Sequence, residues 1–135
     1  MIDGFERHEV DDEVCCVWLS NDVVCFLENE ATNDRSNVRH VGRILTKVAQ
    51  LGQTKLGSVE QFRHEGKFAT GLASGRREAV FVVKARQLRV YGGFLHIRGK
   101  SCFFGIEAAR KKRDKADKAQ LGRVSNALGR IRNER

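Results

Sequence analysis

Proline is absent from this chain of 135 residues, and methionine, tryptophan and tyrosine occur once each. Without proline there is no stiff proline-rich linker and no cis-prolyl turn. No uncharged apolar run approaches the roughly 20 residues that a membrane-spanning helix needs. Residues 1–20 carry Asp3, Glu6, Glu9, Asp11, Asp12 and Glu13, where a secretory leader would need a positive start and an apolar middle. The expectation is a cytoplasmic protein that does not engage a membrane. The four cysteines, Cys15, Cys16, Cys25 and Cys102, include no C-x-x-C pair and no histidine at zinc-finger spacing, so no metal and no cofactor is expected. Successive strand residues face opposite ways, which makes a Cys15–Cys16 pairing awkward, and reduced, partly buried thiols are the expectation. The chain also lacks G-x-x-x-x-G-K-[ST], G-x-G-x-x-G and H-E-x-x-H, the common phosphate-loop, dinucleotide and zinc-protease signatures.

What the chain does have is charge, unevenly placed. Residues 1–33 hold nine acids and one base, a net of −8, whereas residues 34–135 hold eight acids and 24 bases, a net of +16. A body this basic expects a polyanionic partner, of which nucleic acid is the commonest. The bland alternative is a solvated basic surface. With 41% hydrophobic and 31% charged residues, the chain can close one modest core. A single domain over 1–135 is expected, with an acidic N-terminal extension over about residues 1–12.

The run Glu13 to Leu19 reads as a strand buried on both faces. Ser20-Asn21-Asp22 supplies a helix cap before Val23, Val24, Phe26 and Leu27, giving a short helix to about Glu30. Val38, Val41, Ile44, Leu45, Val48 and Leu51 then mark a second, strongly amphipathic helix from about Ser36, closed by Gly52. Its outer side carries Arg35, Arg39, Arg43 and Lys47, a stripe that reads as a solvated face before it reads as a phosphate track. Residues 53–78 suggest a long loop or an irregular strand pair. Ala79–Ala85, Gln87–Ile97 and Ser101–Glu107 read as an antiparallel meander with a turn at Arg98-Gly99-Lys100 and a bulge or close approach at Gly92-Gly93. Leu121, Val124, Leu128 and Ile131 mark a final helix. The class is α+β, with the helices expected on one face of the sheet.

Alternation along Gln87–Tyr91 places Arg89 and Tyr91 on the face opposite Leu88 and Val90. Lys84 and Arg86 reach that side if the two strands form a tight hairpin, and Lys111, Lys112 and Arg113 follow the last strand. Arginine can grip a phosphate through two parallel bonds, lysine adds a compact charge, and tyrosine can stack on a base. Of the four histidines, only His96 is expected on a strand beside this surface.

Val83 to Phe94 (VKARQLRVYGGF), then Phe103-Phe104-Gly105 and Arg110 to Asp117 (RKKRDKAD), resemble the RelE/ParE/HigB superfamily of type II toxins. The likeness is greatest to the phage-derived, HigB-like branch, in which a strand carrying L-R-x-Y precedes one that ends in a lysine pair. It extends over residues 13–130. The resemblance implies a RelE-like fold: a small antiparallel sheet with two N-terminal helices and a C-terminal helix, in the order β-α-α-β-β-β. It also implies the toxin of a toxin–antitoxin pair, an endoribonuclease that cuts messenger RNA on the ribosome and is held by a cognate antitoxin protein.

Carried over by position, Arg89 grips the scissile phosphate, and Lys84 or Arg86 assists removal of the 2′-OH proton. Lys112 or Arg113 lies near the leaving oxygen. No tyrosine or histidine follows Phe104, so Tyr91 is the remaining group for stacking or acid work. Arg86, Lys111, Arg113, Arg98 and Lys100 are the implied RNA contacts. The implied step is metal-free: the ribose 2′-OH attacks its own 3′ phosphate while cations stabilise the transition state. Two alternatives stay open, a non-catalytic nucleic-acid-binding module and a gyrase-directed ParE-like toxin. The acidic residues 1–13 are expected either as a mobile leader or as a segment lying over the basic sheet face.

Overall fold

A computed structural model describes residues 2–55, 61–111 and 117–134. Six strands and three helices follow in the order β1 (Phe5–His8), β2 (Cys16–Ser20), α1 (Asn21–Ala31), α2 (Arg35–Leu51), β3 (Phe62–Ala69), β4 (Arg77–Ala85), β5 (Leu88–Ile97), β6 (Lys100–Arg110) and α3 (Lys118–Glu134). They build one sheet of order β1-β2-β6-β5-β4-β3. All neighbours are antiparallel except β2 and β6, which run parallel with Cys16 opposite Cys102 and Leu19 opposite Gly105. The class is α+β as expected, but the sheet is neither small nor purely antiparallel. A chain that leaves β2 through α1 and α2 crosses one face before re-entering at β3, so the meander that returns brings β6 beside β2 in the same direction.

Local signals formed the elements they announced. The Ser20 side chain accepts the Val23 amide at 3.2 Å and caps α1. Gly52, at φ 73°, ends α2. Arg98 and Gly99, at φ 53° and 78°, turn β5 into β6, the left-handed pair that a two-residue hairpin turn requires. The β5–β6 register shifts between Tyr91 and Gly92. A Cβ at Gly92 would sit 2.0 Å from the Phe104 carbonyl oxygen, so the close approach read from Gly92-Gly93 is real and needs glycine.

Both faces of the sheet are apolar, which corrects the expectation of helices on one face. Toward α1 and α2 point Val17, Leu19, Val83, Ala85, Leu88, Val90 and Phe103. Toward α3 point Trp18, Val80, Val82, Tyr91, Leu95 and Phe104, meeting Leu121, Val124, Leu128 and Ile131. A sheet apolar on both sides has to be covered on both. Polar contacts seat α3: Ser125 Oγ donates to the Phe68 carbonyl at 2.6 Å, Asn126 to that of Thr70 at 2.8 Å, and Arg132 grips the buried Glu78 at 2.7 and 2.9 Å.

Two segments differ from their sequence reading. Within the acidic extension, residues 5–8 form the edge strand β1, paired with β2 from Phe5–Ser20 to His8–Val17. Phe5 meets Phe104 edge to face at 5.4 Å, and the Arg7 guanidinium lies 5.2 Å over the Trp18 ring. These residues are therefore neither a mobile leader nor a lid over β4 and β5, which lie across the sheet. Within 53–78, the irregular-pair alternative is the closer one: β3 pairs with β4 through a register shift between His64 and Gly66.

Replacing Gly92 with alanine should lower stability by about 3 kcal/mol or more, because backbone has to move to admit the methyl group. Gly122→Ala in α3, where nothing lies within 4 Å of the new methyl, should instead raise it by about 0.5–1 kcal/mol. Urea titrations of both variants check the contrast.

Candidate nucleic-acid interface

The β4–β5 hairpin turns on Arg86 and Gln87 alone, with Arg86 at φ 54°. This tight turn makes Lys84 and Arg89 cross-strand partners, on the face that α3 covers. The Lys111 amide donates to the Gln87 carbonyl at 2.7 Å, so the end of β6 is tied to the same turn. Lys84, Arg86, Arg89 and Lys111 thus converge at one end of the sheet. Lys112 and Arg113, which follow directly in sequence, lie outside the described residues.

Convergence does not mean equal access. Arg86 is exposed, Lys84 and Lys111 are half-buried, and Arg89 is only 4% exposed. The Arg89 guanidinium donates to the carbonyls of Arg86 and, at 3.0 Å, of Leu88. Arg89 therefore holds the turn from inside. Tyr91, two residues on, is 2% exposed, and burial raises its phenol above the ordinary range, with Glu65 and Asp117 adding to the rise and Arg89 opposing it. Alternation assigned Arg89 and Tyr91 to one face correctly, but that face is core under α3, not open polar surface.

Arg98 and Lys100 lie at the opposite end of β5, nine residues from Arg89 and so about 30 Å away along the strand. They do not join the Lys84–Arg89 cluster. His96 lies at that far end too, exposed. Arg110, close to the cluster, is occupied: it donates to Glu30 at 2.9 Å, to Asp34 at 2.6 Å and to Gln87 at 3.1 Å. The Arg110 bond holds the Asp34 carboxyl below its ordinary value.

The structure adds a second basic surface. Arg39, Arg43 and Lys47 are exposed along α2 and, with His8, Thr46 and Gln50, line an open groove of about 550 Å³. Helix α2 contains no acid, and among the described residues these three cations make no ion pair, whereas Arg7, Arg110, Arg123 and Arg132 are each matched to a carboxylate. Their four-residue spacing was visible in the sequence; the contribution of His8 was not, because β1 was not. The Thr46 hydroxyl lies 3.0 Å from both the Gly42 carbonyl oxygen and His8 Nε2 and links the helix to β1. Burial lowers the His8 pKa below its ordinary value.

Among the described residues no three His, Cys, Asp or Glu side chains gather as a metal site would, and no helix is long and apolar enough to cross a membrane. No family model, curated protein or solved structure matches this chain.

Arg89→Ala should cost about 2–3 kcal/mol, since it empties a buried position and strips donors from two carbonyls, whereas the exposed Arg86→Ala should stay within about 0.5 kcal/mol; urea midpoints separate the two. For His8 the folded pKa lies below the unfolded one, so its contribution is present above about pH 6.5 and is lost as pH falls toward the folded value. The urea midpoint of His8→Gln should accordingly fall less than that of the unmodified protein between pH 7.5 and 5.5.

Proposed function

We propose that this chain is a toxin of the RelE/ParE/HigB type that cleaves messenger RNA, with the Lys84–Arg89 end of the sheet as its phosphate site. One observation carries the reading: the two-residue β4–β5 turn and the Lys111–Gln87 bond gather Lys84, Arg86, Arg89 and Lys111 from three strand ends into one corner. The succession β2, α1, α2, β4, β5, β6 is compatible with the β-α-α-β-β-β order of that superfamily, with α3 in the place of its C-terminal helix and β1 and β3 as additions. In this reading Lys84 or Arg86 assists removal of the 2′-OH proton, the 2′ oxygen bonds to phosphorus as the P–O5′ bond breaks, the 5′ oxygen leaves with a proton, and Arg86 and Lys111 contact the phosphate and stabilise the charge that develops. Lys84 adds charge from beside them. Arg89 is the positioning residue that keeps Arg86 in its left-handed turn. The partners are messenger RNA, engaged on the ribosome, and a cognate antitoxin protein, and the site of action is the cytoplasm.

A second reading has a specific observation behind it. The buried, less acidic Tyr91 cannot stack on a base or deliver a proton without movement of its surroundings, which favours RNA binding without cleavage. Induction in a bacterial host, with growth followed alongside primer extension on total messenger RNA, distinguishes the two. New 5′ ends together with growth arrest support cleavage. Arrest without new ends supports the binder or a gyrase-directed toxin, and no effect on growth or RNA overturns the toxin reading.

RNA affinity should fall as salt rises, with a log–log slope near −0.7 per phosphate neutralised on a single strand. Arg86→Ala and Lys111→Ala should each flatten that slope by about 0.7 while leaving stability unchanged. Filter binding at several salt concentrations reads both, and affinity independent of salt would exclude nucleic acid as the partner.

A further inference from the structure

At the end of the sheet away from Arg89, Cys16 and Cys102 are register partners on the parallel strands β2 and β6, with both side chains on the α3 face. Neighbouring strands lie about 4.8 Å apart, within the roughly 4.4–6.8 Å between Cα atoms that a disulfide spans. The two thiols lie close enough to affect each other's ionisation. They are 7% and 3% exposed, yet both line an open cavity of about 330 Å³, together with Arg7, Trp18, Arg98 and Lys100. The Cys16 thiol donates to Glu13 Oε2 at 3.4 Å, and that same carboxylate pairs with Arg7. Cys15, though near enough to both to affect their ionisation, packs on the opposite, α1–α2 side of the sheet, next to the Ser101 hydroxyl at 3.8 Å, and Cys25 is exposed on α1.

We propose that this cavity is a thiol-exchange site that takes anionic low-molecular-weight disulfides and closes a Cys16–Cys102 bond. The carboxylates of such a disulfide, RSSR, meet Arg98 and Lys100, which attract and orient it. Cys16 passes its proton to the Glu13 carboxylate and attacks one sulfur of RSSR, forming Cys16–S–S–R and releasing RS⁻, which takes the proton back. Cys102 then attacks the Cys16 sulfur, the Cys16–Cys102 bond forms, and a second RSH leaves with the Cys102 proton. Two thiols lose two electrons and two protons, and RSSR gains both. Burial holds the Cys102 thiol up at about 11, which suits it to the second, intramolecular step rather than the first. The product joins β2 to β6 covalently at a place where the fold has already aligned them.

The test uses the full, reduced chain incubated with oxidised glutathione, then acid-quenched, alkylated and peptide-mapped. The expected result is loss of two hydrogen atoms from the protein mass and a Cys16–Cys102 linked peptide, with Cys15 and Cys25 alkylated. Cys102→Ser should halt the reaction at a Cys16–glutathione mixed disulfide. Replacing both Arg98 and Lys100 with alanine should slow the first step about tenfold, and the advantage of oxidised glutathione over the cationic disulfide cystamine should shrink as salt rises. Modification confined to Cys25, a linkage other than Cys16–Cys102, no reaction at any thiol, or cystamine reacting as fast as oxidised glutathione at low salt would each overturn the proposal.

Discussion

Four register pairs, Cys16–Cys102 through Leu19–Gly105, join β2 to β6, and the rest of the architecture follows from that seam. Strand β2 is too apolar on both sides to sit at an edge: Val17 and Leu19 face α1 and α2, while Cys16 and Trp18 face α3. Seating it between β1 and β6 buries both sets of side chains, and burial on both faces calls for a helical layer above and below. Close approach at the seam is secured by Gly105, where a Cβ would come within 2.8 Å of Leu19.

The same two-layer cover shapes the candidate RNA site. A cation on an open sheet face is free to meet a phosphate, but on a covered face it has to be matched from within. Arg89 is matched by the carbonyls of the turn it supports. The result is a division of labour inside one hairpin, in which the buried Arg89 guanidinium fixes the backbone and the exposed Arg86 carries its charge outward. The groove along α2 offers cations of the opposite kind, exposed and without ion-pair partners among the described residues, on a helix that has no acid of its own.

How much of this could be read in advance depended on how local each cause was. The Ser20 cap, the periodicity of α2 and α3, and the Gly92 approach each rest on a few neighbouring residues, and each is present. Strand β1 was hidden because its inward side chains are Phe5 and Arg7, and Arg7 counts as a surface charge until Trp18 is found beneath it. Strand β3 was hidden by Gly66 and a register shift. The alternation of β5 correctly set Arg89 and Tyr91 on one face. Their burial was out of reach, because it depends on the layer supplied by α3, some 30 residues further along the chain. The turn that brings Lys84 and Arg89 opposite each other is likewise a local feature, whereas the distance from it to Arg98 and Lys100, named with it as RNA contacts, follows from the full length of β5.

The seam between β2 and β6 also sets an order of events during synthesis. Strand β2 leaves the ribosome more than 80 residues before its parallel neighbour. Until then the strand has only β1 on one side and helices on one face. Contacts this distant in sequence form late and slow the search for the native state. An apolar strand with an unfilled edge is, in that interval, a template for pairing with another chain. Yield on expression should therefore depend on how quickly residues 100–110 follow, making the rate of translation through the meander as relevant to recovery of this protein as its final stability.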